Sequence, residues 1–311
     1  MRRIGATDLE TPLMVFGGNV FGWTADRDTS FAMLDRFADA GGTLVDTADV
    51  YSAWVPGHRG GESETLIGEW LKHSGKRIGV ATKVGMLPGE GGEKLAPARI
   101  AAACDASLKR LGVDTIDLYY AHQDDEGVPQ EDVLAAFAKL IEAGKVRHIA
   151  ASNFPAARLK SALDVATRDG LPHYRALQPE YNLVSRRHFE GELQDLCVTH
   201  NIGVLPYYGL ASGFLTGKYR NVADLGKSVR GKAMGDLLAG KGAAVLDAMD
   251  QVAAETGATL SQIALAWLAA QPGVTAPIAS ATSVAQLDEL IAGWTLELGT
   301  DQLDRLTAAG A

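Results

Sequence analysis

The chain has 311 residues, 47% of them hydrophobic and 22% charged, with a formal net charge of -9. That is enough to bury a large core, and α/β barrels of about 250 residues fold as one domain. The acidic balance, without any block of Lys and Arg, excludes a duplex-binding surface or an anionic-lipid patch. The two cysteines, Cys104 and Cys197, stand far apart and exclude a disulfide framework or a paired-cysteine metal site.

The opening MRRIGATDLE carries two Arg with no apolar stretch behind them, so it does not read as a secretion signal. No apolar run reaches the ~18 residues of a spanning helix. The expectation is a soluble, cytoplasmic protein that binds neither membrane nor nucleic acid. Along the chain, β-type runs fall at 13–16, 43–46, 78–83, 116–121, 146–152, 175–178, 203–206 and 274–278. Amphipathic, Ala- and Leu-rich segments lie between and after them, at 29–40, 63–72, 97–111, 130–143, 156–168, 189–200, 243–256, 260–270, 284–292 and 301–309. Pro97 suits a first helical turn, and Gly41, Gly112, Gly144 and Gly257 suit helix ends. Eight strand–helix alternations without a break in composition predict one parallel α/β domain, and a (β/α)8 barrel fits them better than a doubly wound sheet. Residues 208–242 are the longest stretch without a clear element. They are rich in Gly and Lys and read as a cover over a ligand.

In such a barrel the chemistry sits at the carboxyl ends of the strands. Here those ends carry Asp46, Lys83, His122, Ser152 with Asn153, Gln178 and Tyr207, and Tyr51 follows Asp46 within TLVDTADVYS. Singly, each has a plain structural reading: a turn-capping Asp, a solvated Lys, a packed His, a rim Tyr. Their coincidence on three neighbouring strands suggests a site. A phenol is a weak acid with a pKa near 10, which a nearby ammonium lowers. A buried ammonium in turn needs a carboxylate partner. Asp46 would serve Lys83, Lys83 would serve Tyr51, and His122 would orient a substrate oxygen. Asp49 would only shape the turn.

Several long stretches, in order, then identify a likeness: VDTADVY at 45–51, GESETLIGEWL at 61–71, ATKVG at 81–85, LGVDTIDLYYAHQDD at 111–125, GKVRHIAASNF at 144–154, LQPEYNL at 177–183 and ASGFLTGKY at 211–219. The chain resembles an aldo-keto reductase. The resemblance implies a (β/α)8 TIM barrel that binds a nicotinamide cofactor without a Rossmann domain. It implies a tetrad of Asp46, Tyr51, Lys83 and His122, with Tyr51 as general acid. It implies that Ser152, Asn153 and Gln178 hold the carboxamide and that Tyr207 stacks on the nicotinamide. Leu210, Ser212, Leu215, Gly217 and Lys218 would cover the pyrophosphate, and Ser280, Thr282 and Gln286 would meet the adenosine end.

The residues read on their own agree on cofactor class. No GxGxxG opens a helix after the first strand, and GFLTGK at 213–218, followed by Tyr219, is too short for a phosphate loop of the Walker type. Two departures stand out. The family often has Tyr-Ser-Pro-Leu after the seventh strand, where this chain has Tyr207-Tyr208-Gly209-Leu210. The stretch IASATSVAQL at 278–287 has no cation for a 2′-phosphate, leaving Arg220 or Arg230 as substitutes. NADP(H) is expected from the family's habit, with NAD(H) as the other choice.

Phe21, Trp23, Trp54, Met86 and Leu87 suggest an apolar cup for a small carbonyl or alcohol substrate, with Asp124 in reach of a hydroxylated one. The segment 53–63 is longer than the family's usual turn. The alternative from another class is a cofactor-binding regulatory subunit with little turnover, since some relatives accompany potassium channels. The seven His include no HxH or HExxH pair, which argues against a metal-dependent hydrolase. Oligomeric state and substrate identity are left open.

Overall fold

A computed structural model of the protein describes residues 1–227 and 231–311. Two-residue strands β1 (Arg2–Arg3) and β2 (Glu10–Thr11) form an antiparallel pair. The main sheet is built from β3 (Val15–Gly17), β4 (Leu44–Asp46), β5 (Gly79–Val84), β6 (Ile116–Ala121), β7 (Val146–Ser152), β8 (Ala176–Gln178), β9 (Gly203–Val204) and β10 (Ile278–Ala279). All eight run parallel, in the order β10-β3-β4-β5-β6-β7-β8-β9. The helices are α1 (Arg27–Asp39), α2 (Glu62–Ser74), α3 (Pro97–Leu111), α4 (Gln130–Glu142), α5 (Ala156–Asp169), α6 (Glu192–Thr199), α7 (Gly235–Ala239), α8 (Gly242–Thr256), α9 (Leu260–Ala269), α10 (Val284–Ala292) and α11 (Thr300–Ala309). An eight-stranded parallel sheet surrounded by helices fits a (β/α)8 barrel.

Local signals set several boundaries. Asp26 caps α1 by accepting from Thr29 N at 2.9 Å, Thr259 and Gln262 form a capping box on α9, and Pro97 opens α3. Strands β6 and β7 and helices α3 and α10 cover the predicted residues without a shift. The last strand differs. It was expected over 274–278, but the ladder strand is Ile278–Ala279. Pro277 has no N–H to give a ladder, and residues 273–275 bond sideways instead: Val204 N donates to Gly273 O at 3.1 Å and Thr275 N to Val204 O at 2.8 Å. With Ile278 N donating to Pro206 O at 2.8 Å, these bonds link the β9 end of the row to the segment that leads into β10.

Side chains alternate between the two faces of the sheet with a period of two. Phe16, Val45, Val80, Tyr119, Ile149, Leu177 and Val204 pack outward in the same cluster as Phe37 of α1, Ile67 and Trp70 of α2, and Phe137 of α4. Val15, Leu44, Ala81, Leu118, Tyr120, Ala150, Ala176, Leu205, Ala276 and Ile278 form a second, inner cluster. Ile4 and Leu9 of the amino-terminal hairpin join it. The hairpin presses on the amino ends of the strands: Ala6 N donates to Asn201 O at 3.1 Å, and a Cβ on Gly5 would stand 2.4 Å from Arg175 O. The inner cluster fills the space between the strands, and the hairpin covers their amino ends.

Candidate active site

The pleat explains how the predicted residues come to one place. Two positions on from inward-facing Leu44, Ala81, Tyr120, Ala150, Ala176, Leu205 and Ile278 stand Asp46, Lys83, His122, Ser152, Gln178, Tyr207 and Ser280. Each is the next inward residue at the carboxyl rim. On β3 the same position, two on from Val15, is Gly17, where a Cβ would lie 2.5 Å from Ser280 Oγ.

Lys83 Nζ is fully buried and reaches three oxygens: Asp46 Oδ2 at 2.6 Å, the Thr47 carbonyl at 2.7 Å and the Tyr51 hydroxyl at 3.2 Å. Gln178 Nε2 donates to the other Asp46 oxygen at 2.9 Å, so both carboxylate oxygens accept. Burial works against both charges of this pair, raising the Asp46 pKa. At Lys83, Asp46 and Tyr51 outweigh burial, and the lysine titrates above its ordinary value. Tyr51 differs from the sequence expectation. Burial outweighs Lys83 there and lifts the phenol above its usual value, so it keeps its proton at neutral pH. His122 is pushed well below the ordinary histidine range by burial and by Lys83, so it is neutral. Its Nδ1 is buried with no hydrogen-bond partner among the described residues. The tautomer with the proton on Nε2 leaves no buried N–H unpaired at that atom.

Tyr51 is fixed from behind. Its carbonyl accepts from Gly61 N at 2.9 Å and Ser63 N at 3.4 Å, at the start of α2. Between them, residues 52–61 fold onto Glu62, whose carboxylate accepts from Ser52 N (3.3 Å), Arg59 N (2.8 Å) and Gly60 N (3.0 Å). The Ser52 hydroxyl also donates to Phe21 O at 3.2 Å, tying this segment to the turn that carries Trp23. The Trp54 ring lies 5.7 Å from that of Tyr51 and 5.6 Å from that of Trp23, both close to perpendicular, and Trp54 is 48% exposed. Phe21 is buried, packing edge-on against Phe16.

Asp49 does not join the cluster. Its Oδ2 accepts from Arg99 Nη2 at 3.3 Å, and Arg99 also holds the Leu87 and Glu90 carbonyls at 3.1 and 3.3 Å. Burial and the charge of Glu64 push the Asp49 carboxyl up to about 7, against Arg99 and Arg110. Asp124 is engaged by both prongs of the Arg158 guanidinium, at 2.6 and 3.0 Å.

Four of the residues assigned to a cofactor are linked to one another or to His122. Ser152 Oγ donates to Gln178 O at 2.9 Å, Asn153 Nδ2 donates to His122 O at 2.9 Å, and Tyr207 OH donates to Asn153 Oδ1 at 2.8 Å. Tyr208, Ala211, Ser212 and Gly213 have left-handed φ of 58°, 46°, 55° and 89°. Lys218 Nζ stands 2.8 Å from where a Cβ of Gly213 would be, so this turn is short of side-chain bulk and carries a cation, which fits an anionic group. Leu215 is buried and Leu210 half-buried, and Gly217 closes the turn with φ 76°. At the far end, Gln286 Oε1 accepts from Thr282 N (3.0 Å) and Thr282 Oγ1 (3.1 Å), and Ser280 Oγ donates to Asn19 Oδ1 at 2.6 Å. Arg220 is committed to Asp250 by two bonds of 2.7 and 2.8 Å and to Gly217 O at 2.9 Å. Arg230 lies outside the described residues.

Sequence reasoning missed Thr47, whose carbonyl accepts a hydrogen bond from Lys83, and the positioning residues Glu62 and Arg99. Glu62 had a signal: an acid at the first turn of a helix, after two glycines. Arg99 had none, because its partners lie in two other loops. Among the described residues, no group of three or more His, Cys, Asp or Glu is placed to hold a metal ion, and no helix is long and apolar enough to cross a membrane.

A profile of the Aldo/keto reductase family matches residues 13–311. A fission yeast protein named "Aldo-keto reductase yakc", with NADP(+) in its name, is 33% identical over 276 residues, 85% of this chain and 77% of its own. Two relatives carry the name of a voltage-gated potassium channel subunit beta. The Arabidopsis thaliana one, called probable, is 30% identical over 93% of this chain and 89% of its own. The fission yeast one, called putative, is 35% identical over 81% of this chain and 74% of its own.

Proposed function

The chain belongs to the aldo/keto reductase family, and on that premise we propose that it is an NAD(P)(H)-dependent oxidoreductase that reduces an aldehyde or ketone to an alcohol, or runs the reverse. The observation that carries this reading is the buried Lys83 ammonium, joined at once to Asp46 at 2.6 Å and to the Tyr51 hydroxyl at 3.2 Å.

The frame is proposed as one closed (β/α)8 domain, supported by the bonds from residues 203–206 to 273–278, with 208–242 as a covering segment. Ser152, Asn153, Gln178 and Tyr207 would hold the nicotinamide, the turn of Leu210, Ser212, Leu215, Gly217 and Lys218 the pyrophosphate, and Ser280, Thr282 and Gln286 the adenosine end. When bound, the cofactor supplies a hydride to the carbonyl carbon. The chain's own residues manage the oxygen. Tyr51 is a phenol at neutral pH and gives its proton to that oxygen as negative charge develops there. Lys83 stays charged through Asp46 and stabilises the phenolate left behind. Neutral His122 donates one hydrogen bond to the same oxygen and fixes its direction. Among the described residues, the Asp46 carboxylate bonds to Lys83 and Gln178, and it would act through the lysine.

NADP(H) is the cofactor proposed first, in line with the yeast relative's name. The absence of a cation in 278–287 and the engagement of Arg220 by Asp250 keep NAD(H) as the alternative. The deciding experiment titrates the protein with NADPH and NADH separately, following its five Trp, then adds aldehydes and ketones and follows oxidation of the reduced nicotinamide. Binding of one cofactor with turnover is expected. Binding of neither would overturn the reading. A second reading, a cofactor-binding regulatory subunit, is favoured by the names of the two potassium channel relatives. Tight binding without turnover on any carbonyl would select it.

A further inference from the structure

Resting on the reductase reading, we propose that Trp54 is a specificity-determining residue, its uncovered indole receiving a planar aromatic group attached to the carbonyl, so that the protein prefers aryl aldehydes and ketones to alkyl ones of similar size. Trp54 is a large apolar ring left 48% exposed. Isolated exposure of such a ring is common on mobile loops, but this segment is tethered. Glu62 accepts from the backbone of Ser52, Arg59 and Gly60, and Ser52 Oγ holds the turn of residues 18–25 through Phe21 O. Burial opposes the charge on Glu62, yet these backbone donors keep its carboxyl below the ordinary range, so the clamp is ionised at neutral pH. Held half-open on a tethered segment, this ring can meet a ligand at little ordering cost.

Its neighbours say what kind. The Tyr51 ring stands 5.7 Å away at 67° and the Trp23 ring 5.6 Å away at 84°. Neither lies flat on the indole, so offset parallel stacking is still open to an incoming ring. Aromatic pairs form with centroids about 4.5–7 Å apart. The Tyr51 and Trp54 rings lie within that range of each other, so a ring on a carbonyl bound at Tyr51 OH is assigned to the face of Trp54. Met86, 39% exposed, and Tyr208, 47% exposed, add to the apolar exposed surface of the strand-end loops. An alkyl ring of equal size gains the same burial but not the electrostatic fit between π faces, and that difference is what Trp54 would select.

The test compares benzaldehyde with cyclohexanecarbaldehyde, planar and puckered rings of the same carbon count. The ratio of their kcat/KM values is expected to favour the aryl substrate in the wild type. It should fall about tenfold, or about 1.4 kcal/mol, in Trp54→Ala and hold within about twofold in Trp54→Phe. An unchanged ratio in Trp54→Ala, or equal losses on both substrates, would overturn the inference. Binding of the unreactive pair benzamide and cyclohexanecarboxamide, read by tryptophan quenching, separates the two levels. If neither these aldehydes nor any other carbonyl turns over, the reductase reading falls, while the aromatic site stands or falls on whether benzamide binds better and loses that advantage in Trp54→Ala.

Discussion

Replacing Tyr51 by Phe removes one oxygen and leaves nearly everything else in place. Lys83 loses its longest contact, 3.2 Å, and keeps the 2.6 Å bond to Asp46 and the 2.7 Å bond to the Thr47 carbonyl. Its ammonium also lies 4.8 Å from the centroid of the ring that Phe retains. The loss in stability is therefore that of one hydrogen bond, about 1 kcal/mol. No residue assigned to the cofactor rim bonds to the phenol, so NADPH binding should be unchanged. Turnover loses its proton donor, and general acid catalysis contributes about 10² to 10⁴-fold. Urea unfolding, cofactor titration and initial rates on one carbonyl measure the three quantities on the same preparation. Full activity in Tyr51→Phe would refute the assignment of the acid. A loss of activity that tracks a loss of cofactor binding would refute the separation of roles.

Three further outcomes follow from the same geometry. Lys83→Met leaves a carboxylate that is 3% exposed with Gln178 as its remaining donor among the described contacts. It should cost about 3–5 kcal/mol as well as activity. Adding Asp46→Asn should restore stability without restoring turnover, and a stable, active single variant would contradict the buried pair. Asp49 carries its proton up to about pH 7 in the folded protein against 3.8 as its ordinary value. The folded state holds that proton more tightly, so the group favours folding below its unfolded pKa, and this is lost as pH rises to about 7, a change of about 4 kcal/mol. Asp49→Asn should flatten the slope of stability between about pH 4 and 7, and an unaltered slope would assign it to another group. In Gly68→Ala the new Cβ would stand 2.2 Å from the Arg110 carbonyl, where α2 crosses the end of α3. Overpacking of backbone on backbone should cost about 1–3 kcal/mol and lower Tm, and an unchanged Tm would show that the helices separate freely.

The parts of the fold that were legible share one property: their local pattern and their burial say the same thing. IDLYYA and VRHIAAS alternate between inner and outer faces, and α3 begins at Pro97 and ends at Gly112, with φ of 65°. The polar residues at the strand ends were legible for the same reason, since position after a strand dictates face. Strands β1 and β2 were not, because Arg2–Arg3 and Glu10–Thr11 are polar pairs with no apolar alternation. Residues 208–242 hold 3-10 turns at Ala211–Thr216, Val222–Lys227 and Gly231–Met234 and the five-residue α7, all too short for a helical period to show. The Tyr51 pKa was misjudged because sequence shows the cation but not the burial that outweighs it. The Asp124–Arg158 pair joins residues 34 positions apart and has no local mark.

The placement of the polar rim two positions above the inner cluster has a consequence for how such a protein can change over generations. Asp46, Lys83, His122 and Gln178 stand directly on Leu44, Ala81, Tyr120 and Ala176. Altering these polar residues therefore disturbs the interior directly beneath them. Trp54, Met86 and Tyr208 hang from loops whose lengths the strands do not dictate. Drift and duplication can reshape that outer ring while the polar rim beneath stays fixed, so, on the proposed function, descendants would diversify in what they accept long before they differ in what they do to it.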